Sequence, residues 1–168
     1  MPEDVSGIVV HHFGITVSSL KTSLNFWINV LGFELIGRDV LEDRDFVRDV
    51  TGVRDGSIEL AMLAKGPHIV ELLEYKTALG RKALAFQACD SGASHIGLMV
   101  RDVDATLRMA APYGWSAFGA PQVVANGHWA GRRVVYLKGP DNVLIELVEP
   151  GPEGERRDIM LRATERRD

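Results

Sequence analysis

Two similar series of hydrophobic and polar patterns run along this chain. In the first series, the β-branched and aromatic residues of 8–17 predict a strand. Apolar residues then recur at helical spacing between a serine cap and Gly32, which predicts a helix over about 19–31. Short apolar runs separated by turn residues predict the strands that follow, at 33–36, 57–63 and 68–75.

The same order of patterns restarts near residue 94. A strand over 94–100 precedes a helix that is capped by Asp102 and closed by Pro112 and Gly114. The segments after it are predicted to be strand-like at 115–124, with two strands at 134–138 and 143–148 joined by a turn. Each half therefore reads as β-α-β-β-β. We predict modules over 8–75 and 94–150, a linker over 76–93 and a charged tail over 151–168.

The two halves also repeat individual polar residues. His12 and His95 open the first strand of each half, at an offset of 83 residues, and each is followed two positions later by glycine. Glu71 and Glu146 stand in the closing strands, at an offset of 75. An internal repeat of this kind predicts the architecture more strongly than any local pattern.

This repeat predicts a metal site. Side chains alternate between the faces of a strand, so each Glu should project away from its apolar neighbours. An ionised carboxylate flanked by apolar residues is costly to bury unless it is paired or bound to a cation. Two neutral imidazoles and two carboxylates would balance one divalent ion, and these nitrogen and oxygen donors suit Zn, Ni, Co, Mn or Fe(II).

A simpler interpretation competes with the metal site. A single histidine on a strand is more often a hydrogen-bonded structural residue, and a single glutamate near a strand end usually faces solvent. Glu74 and Glu149 repeat as well and fit a solvated surface, and His11 stands beside His12 without an evident role. The recurrence of the same two residue types on the same predicted face of both halves favours the metal.

Composition narrows the possible partners and compartments. The chain has 168 residues, 46% of them hydrophobic, with a net charge of −4 and no long basic run, so nucleic acid is not an expected partner. No apolar run reaches the length of a membrane span, and no signal-peptide pattern opens the chain. The lone Cys89 fits a reducing compartment, so the expected location is cytoplasmic.

The residues around these positions resemble a known family. Three stretches carry the likeness to the vicinal oxygen chelate superfamily, which includes glyoxalase I, methylmalonyl-CoA epimerase, extradiol dioxygenases and bleomycin resistance proteins. The first stretch is HFGITV together with the helix end VLGFEL, the second is SHIGL, and the third is YLKGPDN together with IEL. The resemblance covers about 8–150 and implies an α+β fold, in which two tandem βαβββ modules form a curved mixed sheet around a metal-binding cleft. The family's ligand positions correspond to His12, Glu71, His95 and Glu146.

The ligand order His, Glu, His, Glu is most similar to glyoxalase I. That likeness implies a divalent-metal-dependent lyase or isomerase acting on a small carbonyl or thioester substrate by proton transfer through a metal-stabilised enediolate. Coordination of the substrate oxygen would stabilise the developing enolate. Glu146 is then the expected base, with Glu71 as its partner on the opposite face of the substrate.

Other members of the superfamily remain as alternatives. A methylmalonyl-CoA epimerase-like enzyme would use the same enolate chemistry. An extradiol-type dioxygenase would use His12, His95 and Glu146, but the extra carboxylate would crowd its open positions. A metal-free drug-binding resistance protein would not need the four ligands.

Specificity has its own candidate residues. A glutathione or coenzyme A thioester would need cations such as Arg132 and Arg133, near His128 and Tyr136, although surface charge is the simpler reading of these arginines. Phe46 and Trp129 are candidates to line the cleft. A homodimer is a further expectation, because members of this superfamily often dimerise.

Overall fold

The computed structural model describes residues 7–76, 78 and 80–151, and it divides into two compact units whose boundary lies between Lys82 and Ala83. Each unit contains one mixed β-sheet and one main helix. The α+β class and the mixed sheets predicted from the sequence are therefore confirmed. In the part of the chain that is described, no helix has the length and apolar character needed to cross a membrane.

The first unit is a four-stranded sheet with two helices. Its sheet order is β1-β4-β3-β2, in which β1 runs parallel to β4 and the other neighbours are antiparallel. Its elements are β1 (Phe13–Thr16), α1 (Leu20–Asn29), β2 (Glu34–Leu41), α2 (Arg44–Thr51), β3 (Ile58–Lys65) and β4 (His68–Tyr75).

The second unit repeats this plan without a counterpart of α2. Its sheet order is β5-β9-β8-β6, with β7 also paired to β8, and again the first and last strands are parallel neighbours. Its elements are β5 (Ile96–Met99), α3 (Val103–Ala110), β6 (Ser116–Ala117), β7 (Gln122–Val123), β8 (Arg133–Lys138) and β9 (Leu144–Glu149), with short 3₁₀ turns at Ala111–Tyr113 and Pro140–Asn142.

Both main helices begin where the sequence predicts a cap. The Ser19 side chain accepts from the Thr22 amide, and the Asp102 side chain accepts from the Ala105 amide at 2.8 Å. Such caps satisfy amides that have no partner within the first helical turn. In each unit this fixes the point at which the chain leaves the first strand and enters the helix.

A glutamate of the last strand also holds each helix in place. The Leu20 amide donates to Glu74 Oε2 at 2.7 Å, and the Val103 amide donates to Glu149 Oε2 at the same distance. The repeated pair Glu74 and Glu149, which the sequence analysis assigns to a solvated surface, therefore ties the helix to the closing strand. Carboxylates in the first turn are also favoured by the helix dipole.

The core of each unit lies between the helix and the sheet face that its strands turn inward. In the first unit Leu20 and Leu72 are fully buried, and Trp27 packs edge-on against Phe33 with ring centroids 5.0 Å apart. In the second unit Ile145 and Leu147 are fully buried on β9. Side chains alternate between the two faces of a strand, so Glu71 and Glu146, which adjoin these buried residues in the sequence, lie on the opposite face.

Some predicted elements differ from the structure. Residues 8–12 form no strand, and the side chains of Ile8, Val9 and Val10 are 77%, 81% and 95% exposed. Their β-branched composition favours a strand, but β1 gains its pairing with β4 only from Phe13 onward. The predicted strand-like segment 115–124 contains two strands of two residues each. Residues 46–50 lie within α2, and the tail beyond Gly151 lies outside the described residues.

Candidate metal centre

The first unit brings one histidine and one glutamate together. His12 immediately precedes β1, and Glu71 lies on β4 directly opposite Gly14. His12 Nε2 is 3.2 Å from Glu71 Oε2, with side chains 35% and 17% exposed. The pair forms because β1 and β4 are parallel neighbours, so that positions on the same face of both strands lie side by side.

The second unit builds the same pair. His95 immediately precedes β5, and Glu146 lies on β9 directly opposite Gly97. His95 Nε2 is 3.3 Å from Glu146 Oε2, with side chains 41% and 26% exposed. The sequence repeat of His and Glu is thus a repeat of one local geometry.

The glycine two positions after each histidine leaves space beside the carboxylate. A Cβ atom at Gly14 would lie 3.6 Å from Glu71 Oε2, and one at Gly97 would lie 3.8 Å from Glu146 Oε2. These are ordinary contact distances, so the backbone does not require glycine there. The missing side chain instead keeps the carboxylate accessible from the side of the neighbouring strand.

The donor atoms of each pair fit two ligands of one divalent ion. Ligand atoms that bind an ion at about 2.1 Å, at roughly right angles to each other, lie about 3.0 Å apart or slightly more. The separations of 3.2 and 3.3 Å are close to this value. The atoms are an imidazole nitrogen and a carboxylate oxygen in both pairs, which is a donor set suited to first-row divalent metals.

Each pair supplies two ligands and no more. Within neither unit do the described residues gather three or more His, Cys, Asp or Glu side chains in a group that could hold a metal ion. Two ligands hold a divalent ion weakly, because the structural and catalytic sites of proteins use three or four protein donors. The four-ligand set predicted from the sequence remains a prediction.

The imidazoles have different neighbours. His12 has its Nδ1 atom 2.7 Å from Nδ1 of His11, on the side of the ring away from Glu71. No role for His11 follows from its residue type alone, and its position next to a candidate ligand is the one signal for it in the sequence. A hydrogen bond to the far nitrogen of a ligating histidine is a common way to fix its orientation.

His95 instead has a phenol beside it. The Tyr136 hydroxyl lies 3.2 Å from Nε2 and 3.4 Å from Nδ1 of His95, with ring centroids 4.9 Å apart. Burial raises the pKa of Tyr136, and the negative charge of Glu146 raises it further. The phenol is therefore neutral at physiological pH and able to donate a hydrogen bond.

The two candidate arginines are held within the second unit. Arg133 contacts Asp104 at 2.8 Å and Glu149 at 3.2 Å. Arg132 is 5% exposed, and its guanidinium stacks 3.9 Å from the ring centroid of Trp129. Arg132 is therefore shielded from solvent, while Arg133, whose side chain is 33% exposed, is already paired with two carboxylates.

The fold and the duplicated pair define the class of protein. A family model described as the Glyoxalase/Bleomycin resistance protein/Dioxygenase superfamily matches residues 9–147. The chain belongs to this superfamily, as the resemblance in its sequence implies.

Individual relatives support the same assignment. The chain is 32% identical over 146 residues to a 2-epi-5-epi-valiolone epimerase of Actinomyces sp., covering 84% of this chain and 79% of that protein. Its fold is similar to a glyoxalase family protein of Bacillus cereus, with a TM-score of 0.70, 24% identity and coverage of 89% and 97%. It is also similar to the fosfomycin resistance protein FosX of Listeria monocytogenes, whose structure contains Mn(II) and sulfate, with a TM-score of 0.54, 16% identity and coverage of 89% and 98%.

Proposed function

We propose that this chain is a divalent-metal-dependent epimerase that inverts a carbon next to the carbonyl group of a small ketone. The observation that carries the proposal is the pair of matching His–Glu contacts, at 3.2 and 3.3 Å, in a chain that is 32% identical to an epimerase whose substrate is named as a ketone. Of the reactions open to the superfamily, epimerisation has the more direct support from this relative.

In this proposal His12, Glu71, His95 and Glu146 hold the ion. When bound, a divalent ion polarises a carbonyl oxygen and makes the adjacent C–H bond more acidic. The metal's identity is set by its availability as well as by these donors, so Zn, Ni, Co, Mn and Fe(II) all fit.

The two glutamates suit an inversion. Epimerisation removes a proton from one face of a carbon and returns a proton to the other face, so it needs two groups that exchange protons. We assign removal to the ionised carboxylate of Glu146 and return to the protonated carboxyl group of Glu71, and proton exchange with solvent then resets both groups. The side chains of Glu71 and Glu146 are 17% and 26% exposed, so water has limited access to both carboxylates.

The arginines favour a small substrate over a thioester. A glutathione or coenzyme A ester carries distant charged groups that need cations at the surface. Arg133 is already held by Asp104 and Glu149. A glyoxalase I-like reaction on such a thioester is therefore the second candidate, and it would be recognised by activity on α-hydroxyacyl thioesters.

The test is proton exchange in deuterated water. The metal-loaded protein should incorporate deuterium into 2-epi-5-epi-valiolone next to its carbonyl and convert it to an epimer, as followed by NMR. Glu146→Gln and Glu71→Gln should each slow epimerisation by about 10²-fold or more, because each removes one proton-transfer group. Glu34→Gln, at an exposed position on β2, is the matched control and should leave the rate unchanged.

The exchange pattern separates the roles of the two carboxylates. If each acts on its own face, Glu146→Gln should still exchange the proton of one epimer, and Glu71→Gln that of the other. Metal content is measured for every variant, because glutamine retains an oxygen donor. A metal-loaded wild type that leaves the ketone unexchanged but exchanges thioesters would overturn the epimerase in favour of the glyoxalase-like enzyme.

A further inference from the structure

The two His–Glu pairs differ in the residue that faces the glutamate from the neighbouring strand. In the second unit Tyr136 on β8 is the register partner of Glu146. In the first unit the corresponding partner of Glu71 is Met62 on β3. A phenol donates hydrogen bonds, whereas a thioether is apolar and at most a weak acceptor. The duplication has thus produced one pair with a hydroxyl beside it and one pair with an apolar wall at the same position.

The Tyr136 hydroxyl lies beside the imidazole of its pair. It is 3.2 Å from His95 Nε2, the atom that also faces Glu146 at 3.3 Å, and 3.4 Å from Nδ1 of the same ring. His11 shows the contrasting arrangement, since it contacts the nitrogen of His12 that lies away from Glu71. A residue that only orients a ligand is expected on that far side. The Tyr136 hydroxyl instead approaches both ring nitrogens of His95, so it also borders the side of the ring that faces Glu146.

We propose that Tyr136 is a further substrate-binding residue, whose hydroxyl donates a hydrogen bond to an oxygen substituent on the carbon next to the substrate's carbonyl. This inference rests on the proposed function and narrows its substrate class to α-hydroxy ketones. Met62, at the equivalent register position beside Glu71, offers no such donor, so the hydroxyl-bearing carbon is held at the pair of the second unit. The proton removed by Glu146 is then the one on the carbon that Tyr136 holds.

The test compares two ketones that differ in one oxygen. The zinc-loaded full chain is titrated with 2-hydroxycyclohexanone and with cyclohexanone, and binding is followed by ligand-observed NMR. Tyr136→Phe should weaken binding of the hydroxy ketone by about tenfold, the value of a lost hydrogen bond in a partly buried site, and change binding of cyclohexanone by less than about twofold. Met62→Leu is the matched control, at the equivalent register position, and should leave both affinities unchanged.

The inference would be overturned by equal losses for both ketones in Tyr136→Phe, by no loss for either, or by a wild type that does not bind the hydroxy ketone. A loss of zinc from Tyr136→Phe that accounts for the weaker binding would likewise show that the tyrosine acts only through His95.

Deuterium exchange of the same hydroxy ketone keeps the two proposals apart. Binding that depends on Tyr136 without any exchange would remove the epimerase but retain the binding residue. Exchange that is insensitive to Tyr136→Phe would retain the epimerase but remove Tyr136 as a binding residue.

Discussion

The contact between histidine and glutamate within each unit depends on register at the level of single residues. Gly14 is paired with Glu71 and Gly97 with Glu146, and the histidine stands two positions before the glycine in both cases. Positions two apart on a strand share a face, so the imidazole reaches the carboxylate across the parallel pair of strands. A slip of one residue would turn the carboxylate to the helix side and remove the pair.

Replacing the glycine tests whether the space beside the carboxylate is used. Gly97→Ala should leave the free energy of unfolding within about 0.5 kcal/mol of the wild type, because its methyl would meet Glu146 Oε2 at an ordinary 3.8 Å. The same methyl would narrow the approach to the carboxylate, and we expect turnover of the ketone to fall by about tenfold or more. Urea denaturation and steady-state kinetics measure the two effects.

Gly119→Ala provides the control for that substitution. A Cβ atom at Gly119 would meet nothing within 4 Å, so neither stability nor turnover should change. Full activity in Gly97→Ala would mean that the space beside Glu146 is not part of the site.

Strand alternation explains how far these residues could be predicted. Glu71 and Glu74 are three positions apart, so they face opposite sides of β4, and the same holds for Glu146 and Glu149 on β9. The sequence shows that Glu71 repeats as Glu146 and that Glu74 repeats as Glu149. It could not show that Glu74 accepts a hydrogen bond from a helix amide, because that contact joins Leu20 to Glu74 across 54 positions of the chain.

At the level of elements, each helix is attached to the closing strand of its unit by a charged hydrogen bond. Burial alone would raise the pKa of Glu74, but the amide of Leu20 and the ammonium of Lys76, 2.7 Å away, hold that pKa below its ordinary value of 4.5. The ionised form is therefore the one that the folded state favours. Glu149 repeats the arrangement in the second unit, with Arg133 as its cation.

This attachment makes part of the stability dependent on pH. Because the pKa of Glu74 is lower in the folded state than in the unfolded chain, its contribution is present above about pH 4.5 and is lost as the pH falls through the folded value. Glu74→Gln should lower the free energy of unfolding by about 1–2 kcal/mol at pH 7, since the exposed Lys76 adds little. Urea denaturation at several pH values should show the difference from the wild type shrinking in acid.

Glu34→Gln is the comparison for that experiment, since Glu34 is exposed on β2. It should follow the wild type at every pH. A difference between Glu74→Gln and the wild type that stayed constant down to pH 3 would show that the charge of Glu74 is not what holds the helix.

Elements with local signals were predicted well, and those without them were not. The caps at Ser19 and Asp102 are visible in the sequence because they act within one turn of the helix. The ends of the strands depend on a partner elsewhere in the chain. That is why the predicted strand at 8–17 is reduced to Phe13–Thr16, where β4 provides the pairing.

At the scale of the whole molecule, a duplicated module explains why one chain contains two similar His–Glu pairs. Each unit repeats the parallel pairing of its first and last strands, the helix cap, the tethering glutamate and the His–Glu contact. Internal repetition made this plan predictable from the sequence. The differences between the copies, such as α2 in the first unit and Tyr136 in the second, carry no repeat signal.

Whether both pairs serve one ion is decided by counting metal ions per chain. Purified protein loaded with Zn(II), Mn(II) or Co(II) and then desalted should retain one ion per chain by mass spectrometry. His12→Ala and His95→Ala should each remove that ion, although they lie in different units. His68→Ala, at the exposed start of β4, should keep it. Two ions in the wild type, one lost with each histidine, or full loading in both variants, would contradict a shared centre.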